Sequence, residues 1–335
     1  MTRPRGARTS GTPLPSTDLR LERRPGAPAL VQVDPEDPLR WIFESRGALR
    51  SAVIEHGAVL VRGLGLYDPV LAGDVVRLLA DRLMAERETF APRTTYADRV
   101  YSSTRWPPQM PMCPHHELAY CDVFPTLMMF VCLTPPTSGG VTVLVDSTAV
   151  LRSLPAGLVR RFEQDGWLLV RTYNDEIGPS WATAFGTGSR EAVEHYCQMH
   201  AIDLEWRPGG KLRTWQRRPA VRRHPVTEER CWFNDIAYYS EWVFGPDCRH
   251  EIADLCGADE LPVTTCFGDG TAIGWDIISR MRRAYSDHAA GESWQSGDLL
   301  VVDNIRVAHG RAPYTGSREL LVAMADPLNL QGAAW

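Results

Sequence analysis

Lysine is almost missing from this chain: Lys211 is the only one, and every other basic side chain is an arginine. We attach no function to that bias. Positive charge is short overall as well. The formal net charge is −5 and the isoelectric point lies near 6.0, so no general field draws in phosphate backbones and nucleic-acid binding is disfavoured. The eight cysteines are scattered without a Cys-x-x-Cys pair, which argues against a disulfide scaffold and against a close-spaced zinc site. Reduced thiols are the plain expectation. Long apolar runs are missing too. Leu127 to Leu133 is among the longest, far short of the about 20 residues a membrane-spanning helix needs. No signal peptide opens the chain, and a cytoplasmic location is expected.

What remains is 44% hydrophobic and 23% charged residues over 335 positions, enough to bury a real core. Residues 1–38 are rich in Pro, Arg, Gly, Ser and Thr without a hydrophobic period, and they read as a disordered tail. Pro4, Pro13 and Pro15 speak against the amphipathic helix of a transit peptide. From Trp41 onward the pattern is globular, and residues 39–335 are expected to form a single domain with no repeat and no long linker. The periodicity predicts helices over 41–55, 68–88 (capped by Asp68 ahead of Pro69), 155–165, 188–199 and 275–287. Strands are predicted over 58–64, 127–133, 141–145, 299–302 and 320–324, with a turn at Pro135 to Gly140.

Two segments carry chemistry. In Cys113-Pro114-His115-His116-Glu117, residues i and i+2 of an extended chain share a face, so His115 and Glu117 can converge while His116 points away. One imidazole and one carboxylate are two of the three ligands of a facial non-haem Fe(II) site. A hydrogen-bonded surface pair is the competing reading of that triplet alone. The second segment is Gly297 to Asn304, an apolar strand followed by Ile305 to Arg311, which contains His309. The turn Ala312 to Gly316 lies midway between His309 and Arg318, and a hairpin folded there would set Arg318 across from His309. A metal-binding histidine beside an arginine suits a dicarboxylic cosubstrate, which chelates metal at one end and meets a guanidinium fork at the other.

These residues resemble the taurine-dioxygenase-like Fe(II)/2-oxoglutarate oxygenases, in the branch that contains the syringomycin-pathway aspartate β-hydroxylase. Matches run in order from Gly57-Ala58-Val59-Leu60-Val61-Arg62-Gly63 through Pro114 to Tyr120 and Gly139-Gly140-Val141-Thr142. They continue through Ser180-Trp181, Phe185-Gly186-Thr187, Trp232-Phe233-Asn234 and Gly268-Asp269-Gly270 into the block from Gly297 to Met324. The resemblance implies a mainly β fold with surrounding helices, built on a distorted double-stranded β-helix (jelly-roll) core. It implies His115, Glu117 and His309 as iron ligands, and Thr142 with Arg318 as the holders of the distal carboxylate of 2-oxoglutarate. Tyr120 and Asn234 fall where the branch has residues near the substrate, although ordinary core packing is the competing reading for them and for Trp232.

The same resemblance implies Fe(II) as cofactor, 2-oxoglutarate and O2 as cosubstrates, and an amino-acid-like substrate, free or tethered to a carrier protein. Related halogenases replace the carboxylate ligand with a small residue to admit chloride. This chain keeps Glu117, so hydroxylation is expected. Desaturation or oxidative cyclisation at the same site is the alternative, and a non-catalytic metal-binding regulatory protein is a further one. Two departures stand out: Asp235 where a neutral amide is expected, and Phe267 where tyrosine is more usual. His195, His200, His224, His250 and His288 have no partner at metal spacing, and Arg217, Arg218, Arg222 and Arg223 read as a solvated basic loop.

Overall fold

Successive residues of the strand Gly297–Asp303 bury themselves in two different cores. A computed structural model describes residues 19–329 apart from 92, 174–177 and 258–259. In it Leu300 and Val302 point into one cluster, while Leu299 and Val301 point into the other. The neighbouring strands Ala58–Leu66 and Val123–Thr134 alternate in step, in antiparallel register with Leu299 opposite Val61 and Val131. Both faces of this nine-stranded sheet are covered, so its central strands read as continuous apolar runs and not as alternating ones. On the outer face, Ile42, Leu49 and Val53 of the helix Pro38–His56 pack beside Ala72, Val75 and Val76 of the helix Pro69–Leu79.

The inner face looks onto a four-stranded sheet with the order Ala289–Ala290, Thr142–Asp146, Val307–Arg311, Met112–His115. Two sheets enclosing a core are the expected jelly roll. A third sheet, built on Trp167–Tyr173 and Leu212–Arg218, joins the same core through Trp167 and Leu169. Among the described residues no helix is long and apolar enough to cross a membrane.

Several expectations need correction. The tail expected over 1–38 lies outside the described residues only as far as 18; the strand Ala29–Gln32 then pairs in parallel with Ala58–Leu66, so the ordered chain begins well before 39. The helix expected over 68–88 is capped by Asp68, which accepts from the amides of Val70 and Leu71, but it ends at Leu79. A distant residue ends it: the Asp326 carboxylate accepts from the amides of Asp81 and Arg82 and draws the chain into a short strand, Leu83–Met84, paired with Met324 and Ala325. The hairpin joining His309 to Arg318 does not form. Val307–Arg311 pairs within the small sheet, whereas Glu319–Asn329 pairs with Val123–Thr134 in the large one, and residues 312–318 cross between the sheets.

Candidate metal centre and cosubstrate cavity

The strand Met112–His115 ends at His115, and Val307–Arg311 sets His309 directly opposite it. Close approach is permitted at Gly310, where an added Cβ would stand 2.5 Å from the Met112 carbonyl oxygen. Glu117 follows in the next turn, and its i, i+2 relation to His115 survives the end of the strand. One ligand atom from each of His115, Glu117 and His309 lies within 4.8 Å of the others. His116 points away, as expected, into a buried nest with the Asn304 carbonyl and the Ser147 hydroxyl.

The electrostatics suit a divalent cation. His115 donates from Nδ1 to the Cys113 carbonyl at 3.0 Å, which leaves Nε2 unprotonated toward the cluster. Burial, with His309 beside it, pushes the His115 pKa down to about 3, so the ring is a neutral ligand at physiological pH. Burial alone would raise Glu117, but the Arg93 guanidinium and the two imidazoles hold its carboxyl well below the ordinary range. Arg93 Nη2 donates to Glu117 Oε1 at 2.9 Å, and Oε2 faces His309 Nε2 at 3.7 Å. Tyr238 stacks on the His115 ring at 4.1 Å, and Phe130 meets His309 edge-on at 5.2 Å. His309 Nδ1 is buried without a hydrogen-bond partner. Two imidazoles and an ionised carboxylate in this arrangement are a donor set that fits Fe(II).

The cluster borders a cavity of about 320 Å³ that Thr142, Arg311 and Arg318 also line. Arg318 therefore reaches the site without the hairpin, by crossing from the other sheet. Its Nε donates to the Gly140 carbonyl at 3.1 Å, and a side chain on Gly140 would press on its Cδ at 3.2 Å. Burial and the nearby Arg311 push Arg318 down to about 10, still cationic at neutral pH. Arg311 is differently committed: its Nη2 donates to the carbonyls of Pro107 and Met110, each at 2.7 Å.

The two remaining sequence candidates are placed otherwise. Asn234 is fully buried, with Nδ2 donating to the Ala220 carbonyl and Oδ1 accepting from the Ile236 amide, and it is not among the residues lining the cavity. Its amide is consumed in fixing a turn. Tyr120 packs edge-on against Phe90 and Tyr239 and donates to the Glu88 carbonyl; it borders a crevice of about 30 Å³ beside Glu117 and is not among the residues lining the cavity. Asp235 accepts from the His116 amide at 2.9 Å. Burial pushes its carboxyl well above the ordinary range, with Glu117 adding to the rise against that hydrogen bond, at a position where an amide is expected. Phe267 fills a dry slot between Phe162 and the Arg161 guanidinium, which leaves no use for a tyrosine hydroxyl. The basic cluster is not one solvated loop. Arg218 is buried and donates to the carbonyls of Tyr120, His200 and Ala201.

Sequence reasoning misses two residues. Asn304 clamps the Glu117 peptide from both sides: Oδ1 accepts from the Glu117 amide at 2.8 Å, and Nδ2 donates to the Glu117 and Pro125 carbonyls. Arg93 is the other, and nothing in its neighbourhood in the sequence points to Glu117.

A jelly roll enclosing this donor set beside an arginine-lined cavity is the architecture of an Fe(II)/2-oxoglutarate-dependent dioxygenase, and this enzyme is one, with O2 as its second cosubstrate. The chain belongs to the taurine catabolism dioxygenase TauD, TfdA family, whose model matches residues 12–324. It is 32% identical over 305 residues to the dapdiamide synthesis protein DdaC of Enterobacter agglomerans, covering 90% of this chain and 93% of that protein. It is 30% identical over 287 residues to a clavaminate synthase-like protein of Arabidopsis thaliana, covering 82% and 83%. A taurine dioxygenase structure from Burkholderia xenovorans shares the fold, with a TM-score of 0.52 at 15% identity over 94% of this chain and 92% of that one.

Proposed function

We propose that this enzyme hydroxylates an unactivated C–H bond of an amino acid or an amino-acid-derived substrate, free or carrier-tethered, in specialised metabolism. In this reading His115, Glu117 and His309 hold Fe(II), and Arg318 with Thr142 holds the distal carboxylate of 2-oxoglutarate. One observation carries it: three ligand atoms converge within 4.8 Å beside a cavity that Thr142 and Arg318 also line. The similarity to a dapdiamide synthesis protein supports the metabolic setting. A cytoplasmic location belongs to the same proposal, and the seven cysteines whose side chains are described are all free thiols, as a reducing compartment favours.

Bound iron supplies the oxidising chemistry, in which O2 is reduced and 2-oxoglutarate is converted to succinate and CO2. The protein's part is to hold and to exclude. Arg93 keeps Glu117 ionised and directs one carboxylate oxygen toward the histidines. Arg318 offers a charge-assisted partner to a carboxylate, and its fixed Nε bond to Gly140 holds the guanidinium in place. Phe130 and Tyr238 wall the imidazoles and keep water from them. Desaturation or cyclisation would use the same residues and differ only in how the substrate is placed. The test is a screen of free amino acids and their carrier-bound forms, following succinate release and product mass. Succinate formation coupled to no amino-acid-type compound would refute the substrate reading.

A further inference from the structure

Arg93 and Arg105 both line the cavity at the metal cluster, and neither is used up by the roles above. Arg93 is buried. Its Nη2 serves Glu117 and its Nε stands 3.3 Å from Glu86, but Nη1 is buried with no hydrogen-bond partner. A charged donor left unmatched in a dry wall is costly, and beside a cavity a bound anion would satisfy it. Arg105 sits at the exposed rim, and among the described residues it has no ion pair or hydrogen bond. Its neighbour Thr104 borders both this cavity and the adjoining crevice with His115, Glu117 and Arg93, so this segment passes beside the metal cluster.

The charge balance points the same way. Four arginines, Arg93, Arg105, Arg311 and Arg318, face two carboxylates, Glu117 and Glu319, across the cavity, and a third, Glu86, pairs with Arg93 from the adjoining crevice. Binding a metal dication and the 2-oxoglutarate dianion leaves that excess of positive charge unchanged. Arg318 has the cosubstrate, Arg311 has its loop carbonyls and Arg93 is paired with Glu117 and Glu86, so the surplus charge rests on Arg105, with Arg93 Nη1 as an unmatched donor in the same cavity wall.

We propose that Arg93 Nη1 and Arg105 form a second anion site in this cavity, which grips a carboxylate of the substrate and sets which amino acids are accepted. The inference rests on the amino-acid reading above and sharpens it. A carrier-tethered amino acid has its α-carboxyl locked in a thioester and lacks that charge, so the pair selects the free acid.

The test uses the full chain loaded with Mn(II), inert to O2, and saturated with 2-oxoglutarate. It is titrated with the proteinogenic amino acids and with their α-carboxamides, and binding is read as a thermal shift. At least one acid should bind about tenfold or more tightly than its carboxamide, as loss of a charge-assisted pair implies. Arg105→Gln should erase that preference with the 2-oxoglutarate shift unchanged. Equal binding of acid and carboxamide, or an Arg105→Gln protein that keeps the preference, overturns the anion site and leaves the amino-acid reading standing. Should neither form bind, the free amino acid is ruled out as substrate, and acetate titrated into the same complex decides the anion site. Weaker acetate binding by Arg105→Gln than by the unaltered protein supports it, and no difference overturns it.

Discussion

His309 lies directly opposite His115 in an antiparallel strand pair, with ring centroids 4.6 Å apart. This relation joins the two sequence segments, and it makes the strand pair as much a part of the site as the side chains. His115→Ala, Glu117→Ala and His309→Ala should each abolish iron retention and succinate formation while leaving the far-ultraviolet dichroism of the fold in place. Full activity in any one of them would remove that residue from the ligand set. Gly310→Ala should lower iron affinity without touching a ligand, because its Cβ would push the Met112 backbone away.

Arg318→Ala should raise the 2-oxoglutarate requirement steeply, by roughly 2–4 kcal/mol in binding, since a charge-assisted partner is lost. Thr142→Ala should cost about 1 kcal/mol, the worth of one neutral hydrogen bond. Arg311→Ala should instead act on stability, because it frees the Pro107 and Met110 carbonyls. Titrations of 2-oxoglutarate under anaerobic conditions, read by the visible band of a chelated keto acid, separate these outcomes. A larger affinity loss in Arg311→Ala than in Arg318→Ala would make Arg311 the anchor.

The apolar run of Leu299 to Val302 and the i, i+2 spacing of His115 and Glu117 are local features, so they are legible in the sequence. Contacts made across the chain are not. Arg93 meets Glu117 across 24 residues and Asn304 meets it across 187, and neither spacing carries a periodic signal. The helix from Pro69 ends early because Asp326 captures the amide of Asp81 from 245 positions away. The hairpin that would set Arg318 across from His309 does not exist. Arg318 nevertheless lines the cavity, because the crossing from one sheet to the other brings it there.

Asn304 gives a sharper test of positioning. Asn304→Ala would strip partners from the buried Glu117 peptide, and each stranded group costs about 1–3 kcal/mol. Asn304→Asp should be worse, since it turns an acceptor toward the Glu117 and Pro125 carbonyls. Both should lower the melting temperature and the iron affinity together. Unchanged iron affinity in a folded Asn304→Ala protein would show that Glu117 is held by other means.

Asp235 links the site to pH. Its folded pKa is raised above the unfolded value, so the native state holds a proton that the unfolded chain gives up. That contribution is harmless in acid and becomes destabilising as pH rises past the unfolded pKa toward the folded one. Asp235→Asn cannot ionise yet keeps an oxygen for the His116 amide. The melting temperature of Asp235→Asn relative to the unaltered protein should therefore increase as pH rises from the unfolded pKa toward the folded one. A difference that stays flat or shrinks as pH rises above the unfolded pKa would mean that the Asp235 pKa is not raised in the native state.

Reaction type rests on Glu117. Its carboxylate is buried, held ionised by Arg93, and turned with Oε2 toward His309. If it occupies the third protein position on the metal, no position remains for a halide once 2-oxoglutarate and O2 are bound. The product made in concentrated chloride with isotopically labelled O2 should then carry one labelled oxygen and no chlorine. Loss of two hydrogens without label would point to desaturation or cyclisation and would leave the ligand assignment intact. Glu117→Ala opens the position but also strands Arg93 beside it, so that variant should favour an anion there and recover little hydroxylation even with iron in excess. A chlorinated product from the unaltered enzyme would refute the argument, since it would require Glu117 to give up its position on the metal.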